Sequence, residues 1–337
     1  MSRQDRLAAD LERGFKALEE GQIDDALTVL ERVEKIDRHN ADVVTLAAAI
    51  ADAQADFPTA LAKYQELAQL RPDDPMPRVC IARILLQDQG DAEGSLAAIE
   101  QAFDFIDEED DLIEAVIVRT EALLALDDID TARESLAELS TSVIDNAEIA
   151  LDLGELALAA EDLDAAKRWI EIVRKEPELE AEAQHLIGRI CEAAGDRKGM
   201  VAAWQRVREL DAKLPSPPVS ISEDELERIA AAALAELPAL VRDKLQRAPI
   251  LIDDYPSADL IDEGLDPRML GVFSGTPMTE GGASAPSVTN IRLFKTNLER
   301  SAVDLDHLAE EIRITVLHET AHYFGLDEAD LERIGLD

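Results

Sequence analysis

Near the end of the chain stand His318, Glu319, Thr320, Ala321 and His322. On a helix, residues four apart share a face, one turn above the other. The two imidazoles could then reach a single zinc ion at about 2.0–2.1 Å. Glu319, one residue on from His318, is offset around the helix and so stands off the metal. It is placed to hold a zinc-activated water and take its proton, which is the equipment of metal-assisted hydrolysis. Gly325, three residues after His322, can adopt positive φ, end the helix and turn the chain back beneath the metal. A solvent-facing helix whose His and Glu are ordinary polar positions is the bland alternative. The apolar period of the helix and the acids that follow it speak against that reading.

The elements that must hold this trio can be read upstream. The helix carrying it begins near Asp304 and presents Leu308, Ile312, Val316 and Leu317 at helical spacing. Pro249 to Asp254 reads as a short buried strand. Part of Leu270 to Pro277 can pair as another, and Val288 to Lys295 alternates as a strand. Before them, Ser222 with Glu225 three residues later is a capping-box signature. It opens a helix expected from about Glu223 to Gln246, which Pro238 should kink or divide. A small α+β domain is expected from residue 222 to 337.

This C-terminal segment resembles a family of small bacterial zincin-like metallopeptidases, the minimal zincins. The resemblance rests on Leu237-Pro238, on Ile250-Leu251-Ile252-Asp253-Asp254-Tyr255-Pro256, on Leu270 to Pro277 and on the run His318 to Asp327. It implies peptide-bond hydrolysis with Zn2+ as cofactor, His318 and His322 as metal ligands and Glu319 as general base. The third ligand is less determined. Fifteen residues remain after His322, so a thermolysin-like glutamate from a distant helix is not expected. A metzincin-like arrangement puts the ligand ten residues after the first His, at Glu328, where the family usually has an acid and commonly Asp. Asp327 is the rival, although it would also cap a last short helix from Glu328 to Ile334; Asp330 and Glu332 are more distant choices. By analogy with zincins, Ile291 to Lys295 is expected as the edge strand on which an extended substrate pairs, or else as an ordinary core strand.

The first two thirds obey a different grammar. A small residue followed four later by a large apolar one begins at Ala26 with Leu30. The pattern recurs as Ala60 with Tyr64, Ser95 with Ile99, Ala132 with Leu136, Ala166 with Ile170 and Met200 with Trp204. The steps are 34, 35, 37, 34 and 34 residues. Twelve positions before each anchor stands Gly14, Ala48, Gly154 or Gly188, but Arg83 and Thr120 in the other two units. The spacing resembles the tetratricopeptide repeat (TPR). A two-helix unit cannot bury its apolar face alone, so about six such units over 1–213 are expected to stack as an α-solenoid with a groove for a partner protein. Leu214-Pro215-Ser216-Pro217-Pro218 ends the pattern, and residues 214–221 read as a stiff linker.

Composition fits this mostly α reading: 47% of residues are hydrophobic and only 4% aromatic. The formal charge of −40 repels nucleic acid and anionic lipid and favours basic peptides or proteins. Cys80 and Cys191 are expected as buried free thiols. No run of about 20 apolar residues is present, and the N-terminus enters an amphipathic helix at once, so a cytoplasmic protein is expected. His39, His185 and His307 are expected to be surface or core residues without a catalytic role. The reading that follows is a zinc metallopeptidase whose repeats recruit its substrate or partner. The alternative is an interaction scaffold with an inactive or structural zinc site.

Overall fold

The computed structural model describes residues 3–237, 249–275 and 288–323. The chain divides into two compact units, Met1–Lys175 and Glu176–Asp337.

The first unit is a TPR-like solenoid of paired helices: α1 (Arg3–Glu19) with α2 (Ile23–Asp37), α3 (Ala41–Ala53) with α4 (Phe57–Leu70), α5 (Met76–Gln87) with α6 (Ala92–Phe103), α7 (Glu109–Ala125) with α8 (Ile129–Ala137), and α9 (Ala147–Ala159) with α10 (Leu163–Val173). The repeat anchors explain why the pairs close. Ala26, Ala60, Ser95, Ala132 and Ala166 are completely buried. A Cβ on Gly14 would stand 2.6 Å from the Leu46 Cδ2. Where the small residue is missing, polar pairs replace it: Arg83 reaches Asp52 at 3.0 Å, and the Thr120 hydroxyl meets that of Ser135 at 3.0 Å.

Five residues before every anchor, the chain takes positive φ. The position is filled by Gly21, Ala55, Gly90, Asp127, Glu161 and Gly195, with φ between 55° and 73°. The next residue caps the second helix. Asp56, Asp91, Asp128, Asp162 and Asp196 each accept a bond from the backbone N–H three residues on, at 2.8–3.2 Å. This bond satisfies one of the free donors at a helix start. Gln22 makes no such cap.

The second unit opens with one more pair, α11 (Glu180–Ala193) and α12 (Arg197–Asp211). Here Trp204 lies against Gly188, so close that a Cβ at 188 would meet the indole Nε1 at 2.0 Å. Then follow α13 (Glu223–Glu236), β1 (Ile250–Asp253), α14 (Ala258–Glu263), β2 (Gly271–Gly275), β3 (Val288–Phe294), α15 (Lys295–Ser301) and α16 (Leu305–Tyr323). Ser222 Oγ accepts the Glu225 N–H at 3.2 Å, as the capping signature requires, while the Glu225 carboxylate turns outward to Arg228. The helix stops at Glu236, short of the expected end. Leu237 is extended, because a residue before proline is pushed out of the helical region; the rest of the expected helix lies outside the described residues.

The three strands order as β1-β3-β2, with β1 parallel and β2 antiparallel to β3. One face of the sheet presents Ile291 and Leu293 to Leu226 and Ala230 of α13 and to Leu308, Ile312 and Val316 of α16. Each of the leucines, isoleucines and Val316 among them contributes about 1.5–3 kcal/mol on burial. Of the two readings of Ile291 to Lys295, the sheet order favours the core strand over the edge: β3, which ends at Phe294, is paired on both sides. The Pro-rich stretch also differs from a bare spacer. Val219 and Ile221 pack on this core, and Ser220 Oγ and the Ile221 N–H both donate to the buried Glu299 carboxylate at 2.8 and 3.0 Å. Cys80 and Cys191 are unbridged and half-buried rather than fully buried. Among the described residues, no helix is long and apolar enough to cross a membrane.

Candidate metal centre

Helix α16 is set by its cap and by its apolar stripe. Asp304 Oδ1 accepts the His307 N–H at 2.8 Å, and Leu308, Ile312 and Val316 are completely buried beneath the sheet. The helix runs without a break through His318, Glu319 and His322 to Tyr323. The four-residue spacing of the two histidines is therefore carried by one continuous helix. The side chain of His322 and all of Asp327, Glu328, Asp330 and Glu332 lie outside the described residues, as do Gly325 and the expected final helix.

Glu319 is only 6% exposed, and its position is the informative part of the site. Its Oε2 accepts the backbone N–H of Phe273 at 2.7 Å. Phe273 stands opposite Ile291 in the ladder, at a position whose N–H is turned away from β3, because the neighbouring Leu270 carbonyl is the one that accepts from Phe294 at 2.9 Å. So the outer rim of β2, not β3, faces the His-Glu segment. Gly271 allows this closeness: a Cβ there would lie 2.7 Å from Thr315 Cγ2 on α16.

Between β2 and α16 lies a cavity of about 240 Å³, lined by Met269, Leu270, Gly271, Ile314, His318 and Glu319 among others. Its walls combine the apolar Met269, Leu270 and Ile314 with His318, Glu319 and a second carboxylate, Glu311. Glu311 is itself paired with His307 at 3.2 Å. A larger cavity, about 570 Å³, lies between α2 and α4 among salt-bridged side chains such as Lys63 and Glu66, with no group arranged for chemistry. His39 pairs with Glu66 and His185 with Asp266, which gives both structural roles.

Among the described residues, no three His, Cys, Asp or Glu side chains stand together as a metal cluster. What is described of the site suits zinc all the same: a cavity-facing imidazole, a second histidine four residues on in the same helix, and a buried carboxylate beside the first. Residues 245–336 match the zincin-like metallopeptidase family. The zincin-like segment so defined holds β1 to α16 and begins after α13.

The helical pairs have their own likenesses. PilW, described as a widely conserved type IV pilus biogenesis factor, superposes with a TM-score of 0.53 at 14% identity over 62% of this chain and 94% of that one. The pilF protein of Pseudomonas aeruginosa gives 0.51 at 16% identity over 63% and 95%. A thermophilic TPR protein of Thermus thermophilus gives 0.43 at 20% identity over 57% and 99%. For the first two, at these identities, the likeness is one of fold. No curated protein matches the chain by sequence.

Two features of the site were not readable from residue types. The backbone N–H of Phe273 carries no mark in the sequence, which showed only that part of Leu270 to Pro277 can pair as a strand. The loop before β2 was equally silent.

Proposed function

We propose that the chain is a zinc-dependent metallopeptidase that hydrolyses peptide bonds, with His318, His322 and Glu328 as metal ligands and Glu319 as general base. The observation that carries this reading is the buried Glu319 carboxylate, set beside His318 in a cavity and bonded to the outer rim of β2. Bound zinc would supply the Lewis acidity that activates water and polarises the scissile carbonyl. Glu319 would take the proton of that water and return it to the leaving amine. The rim of β2 would align an extended peptide through main-chain bonds, and the apolar cavity would take one of its side chains. Basic peptides suit the acidic surface and the Glu311 wall. We assign the repeats to 1–213, where they recruit substrate or partner proteins, and the hydrolytic region to 222–337. Two unbridged cysteines fit a reducing, cytoplasmic setting.

A second reading has its own observation. Glu319 is bonded to the Phe273 N–H, and a carboxylate held there permanently would serve structure in an interaction scaffold with an inactive zinc site. Two measurements separate these readings. Metal analysis of protein purified without chelator should find one zinc per chain, and no stoichiometric zinc sinks both. Glu319→Gln should keep the zinc and lower cleavage by about 10²–10⁴-fold; unchanged cleavage sinks the base assignment. Comparing zinc content in Glu328→Ala and Asp327→Ala decides the third ligand, and substrates trapped by Glu319→Gln can be identified by mass spectrometry.

A further inference from the structure

Two of the residues that line the cavity beside His318, Met269 and Leu270, are delivered by the loop Leu265–Leu270, which joins α14 to β2. Its start is fixed by Gly264, which closes α14 in the left-handed conformation with φ 106°. From there the loop is tied at both of its charged residues to the helix pair α11–α12. Asp266 receives His185 of α11, whose Nε2 stands 2.8 and 3.1 Å from the two carboxylate oxygens. The same carboxylate also accepts the Arg268 N–H at 2.7 Å. Arg268 grips Asp211 at the end of α12 with two bonds, 3.0 and 3.2 Å, and reaches Glu182 at 3.5 Å. Asp211 is buried, and it has no other cation on its carboxylate among the described residues. Between the two ties, Asn297 of α15 uses both amide hydrogens on the loop, donating to the Pro267 and Met269 carbonyls at 2.9 and 2.8 Å.

The next residues are the site. Met269 and Leu270 line the cavity, Leu270 enters the ladder with β3, Gly271 abuts Thr315, and the Phe273 N–H holds Glu319. Arg268 itself does not line that cavity. A bidentate guanidinium–carboxylate pair fixes direction as well as distance, which a single bond does not.

We propose that Arg268 is a positioning residue of the hydrolytic site: by locking onto Asp211 it fixes where β2 lies over His318 and Glu319, which makes the helix pair α11–α12 a working part of that site. The claim rests on the peptidase reading for its catalytic consequence, but its structural half stands alone.

The test uses the full chain and reads both halves. In metal-free protein, hydrogen exchange of residues 271–275 is compared between wild type and Arg268→Gln. Exchange there should quicken by about ten-fold or more, while α13 and the buried part of α16 keep their rates. With zinc bound and a fluorescence-quenched peptide library of mixed sequence as probe, Arg268→Gln should keep one zinc per chain and lose about ten-fold or more in kcat/KM. Arg268→Lys, which can restore one of the two bonds, should recover part of both effects. A change of exchange spread evenly over the unit, or no change at 271–275, overturns the proposal. So does a Lys variant no better than Gln. Should Arg268→Gln fail to fold, His185→Gln, which removes the other tie, is read the same way and by the same criteria. Wild-type protein without zinc or cleavage would refute the peptidase reading, and the exchange comparison would still decide the clamp.

Discussion

The close approach of Gly271 in β2 to Thr315 in α16 can be tested with one methyl group. In Gly271→Ala the new Cβ would lie 2.7 Å from Thr315 Cγ2, 3.2 Å from the Arg292 carbonyl oxygen and 3.3 Å from Leu293 Cδ2. Ordinary carbon contacts are about 3.5–4.0 Å, so β2 and α16 must separate by about 1 Å. Thr315 is buried and branched at Cβ, and Val316, which follows it in α16, is completely buried, so neither side can yield freely. Overpacking of this kind costs about 1–3 kcal/mol. Thr315→Ser deletes the offending methyl and by itself should cost about 0.8 kcal/mol. Combined, the two changes should cost less than their sum by about 1 kcal/mol or more, because the clash that dominates the first is gone. The assay is urea unfolding followed by Trp204 fluorescence in a Trp169→Phe background. Trp169 and Trp204 are the only tryptophans, one in each compact unit. Strict additivity, or Gly271→Ala unfolding at the wild-type urea concentration, would refute the packing account of the site.

Three further outcomes follow from the helical pairs. Ala55→Gly, Asp127→Gly and Glu161→Gly should each stabilise the chain by up to about 1 kcal/mol, since a side chain at positive φ costs about 1–2 kcal/mol. Gly21→Ala should cost a similar amount although no atom lies within 4 Å of its Cβ, and thermal unfolding of all four variants checks the sign. Gly188→Ala should destabilise by about 1–3 kcal/mol because the buried indole of Trp204 cannot move aside, and the loss should shrink when Trp204 is replaced by Leu. Glu121 gives the pH-dependent case: burial, and then the neighbouring Asp152 carboxylate, push its carboxyl up. A raised folded pKa means a contribution present below the unfolded value, about 4.3, and lost as pH rises through the folded one. Glu121→Gln should therefore stabilise at pH 7, with the gain fading on acidification; a gain that grows in acid would contradict the cause given.

The sequence carried the helical pairs well, because close helix packing demands small residues at fixed intervals, and these survive as a period. It carried the turns only in part. Gly21, Gly90 and Gly195 mark three of the positive-φ positions, whereas Ala55, Asp127 and Glu161 occupy the same place without any such mark. The short helices α14 and α15, six and seven residues long, went unread because less than two turns cannot establish a period among loop residues. For β3, the alternation of Ile291 and Leu293 with Asn290 and Arg292 shows which face is buried, but a strand's own pattern does not say how many neighbours it has. That is why the sequence left edge and core readings of this strand open, and the sheet order decides for the core. The His-Glu segment was legible because it needs side chains at set spacing on one helix. Its partner, a main-chain N–H from β2, was not.

The grip of Asp211 on Arg268 bears on how such a chain can change length over generations. Within the first unit, helix pairs could be duplicated or deleted whole, since they share equivalent turns at the same place in the repeat. The pair α11–α12 has no such freedom. Trp204 and Met200 are committed to Ile261 of α14, and the end of α12 is committed to the loop before β2. Recombination that swapped this pair for another repeat would remove the clamp while leaving every histidine and glutamate of the candidate site in place.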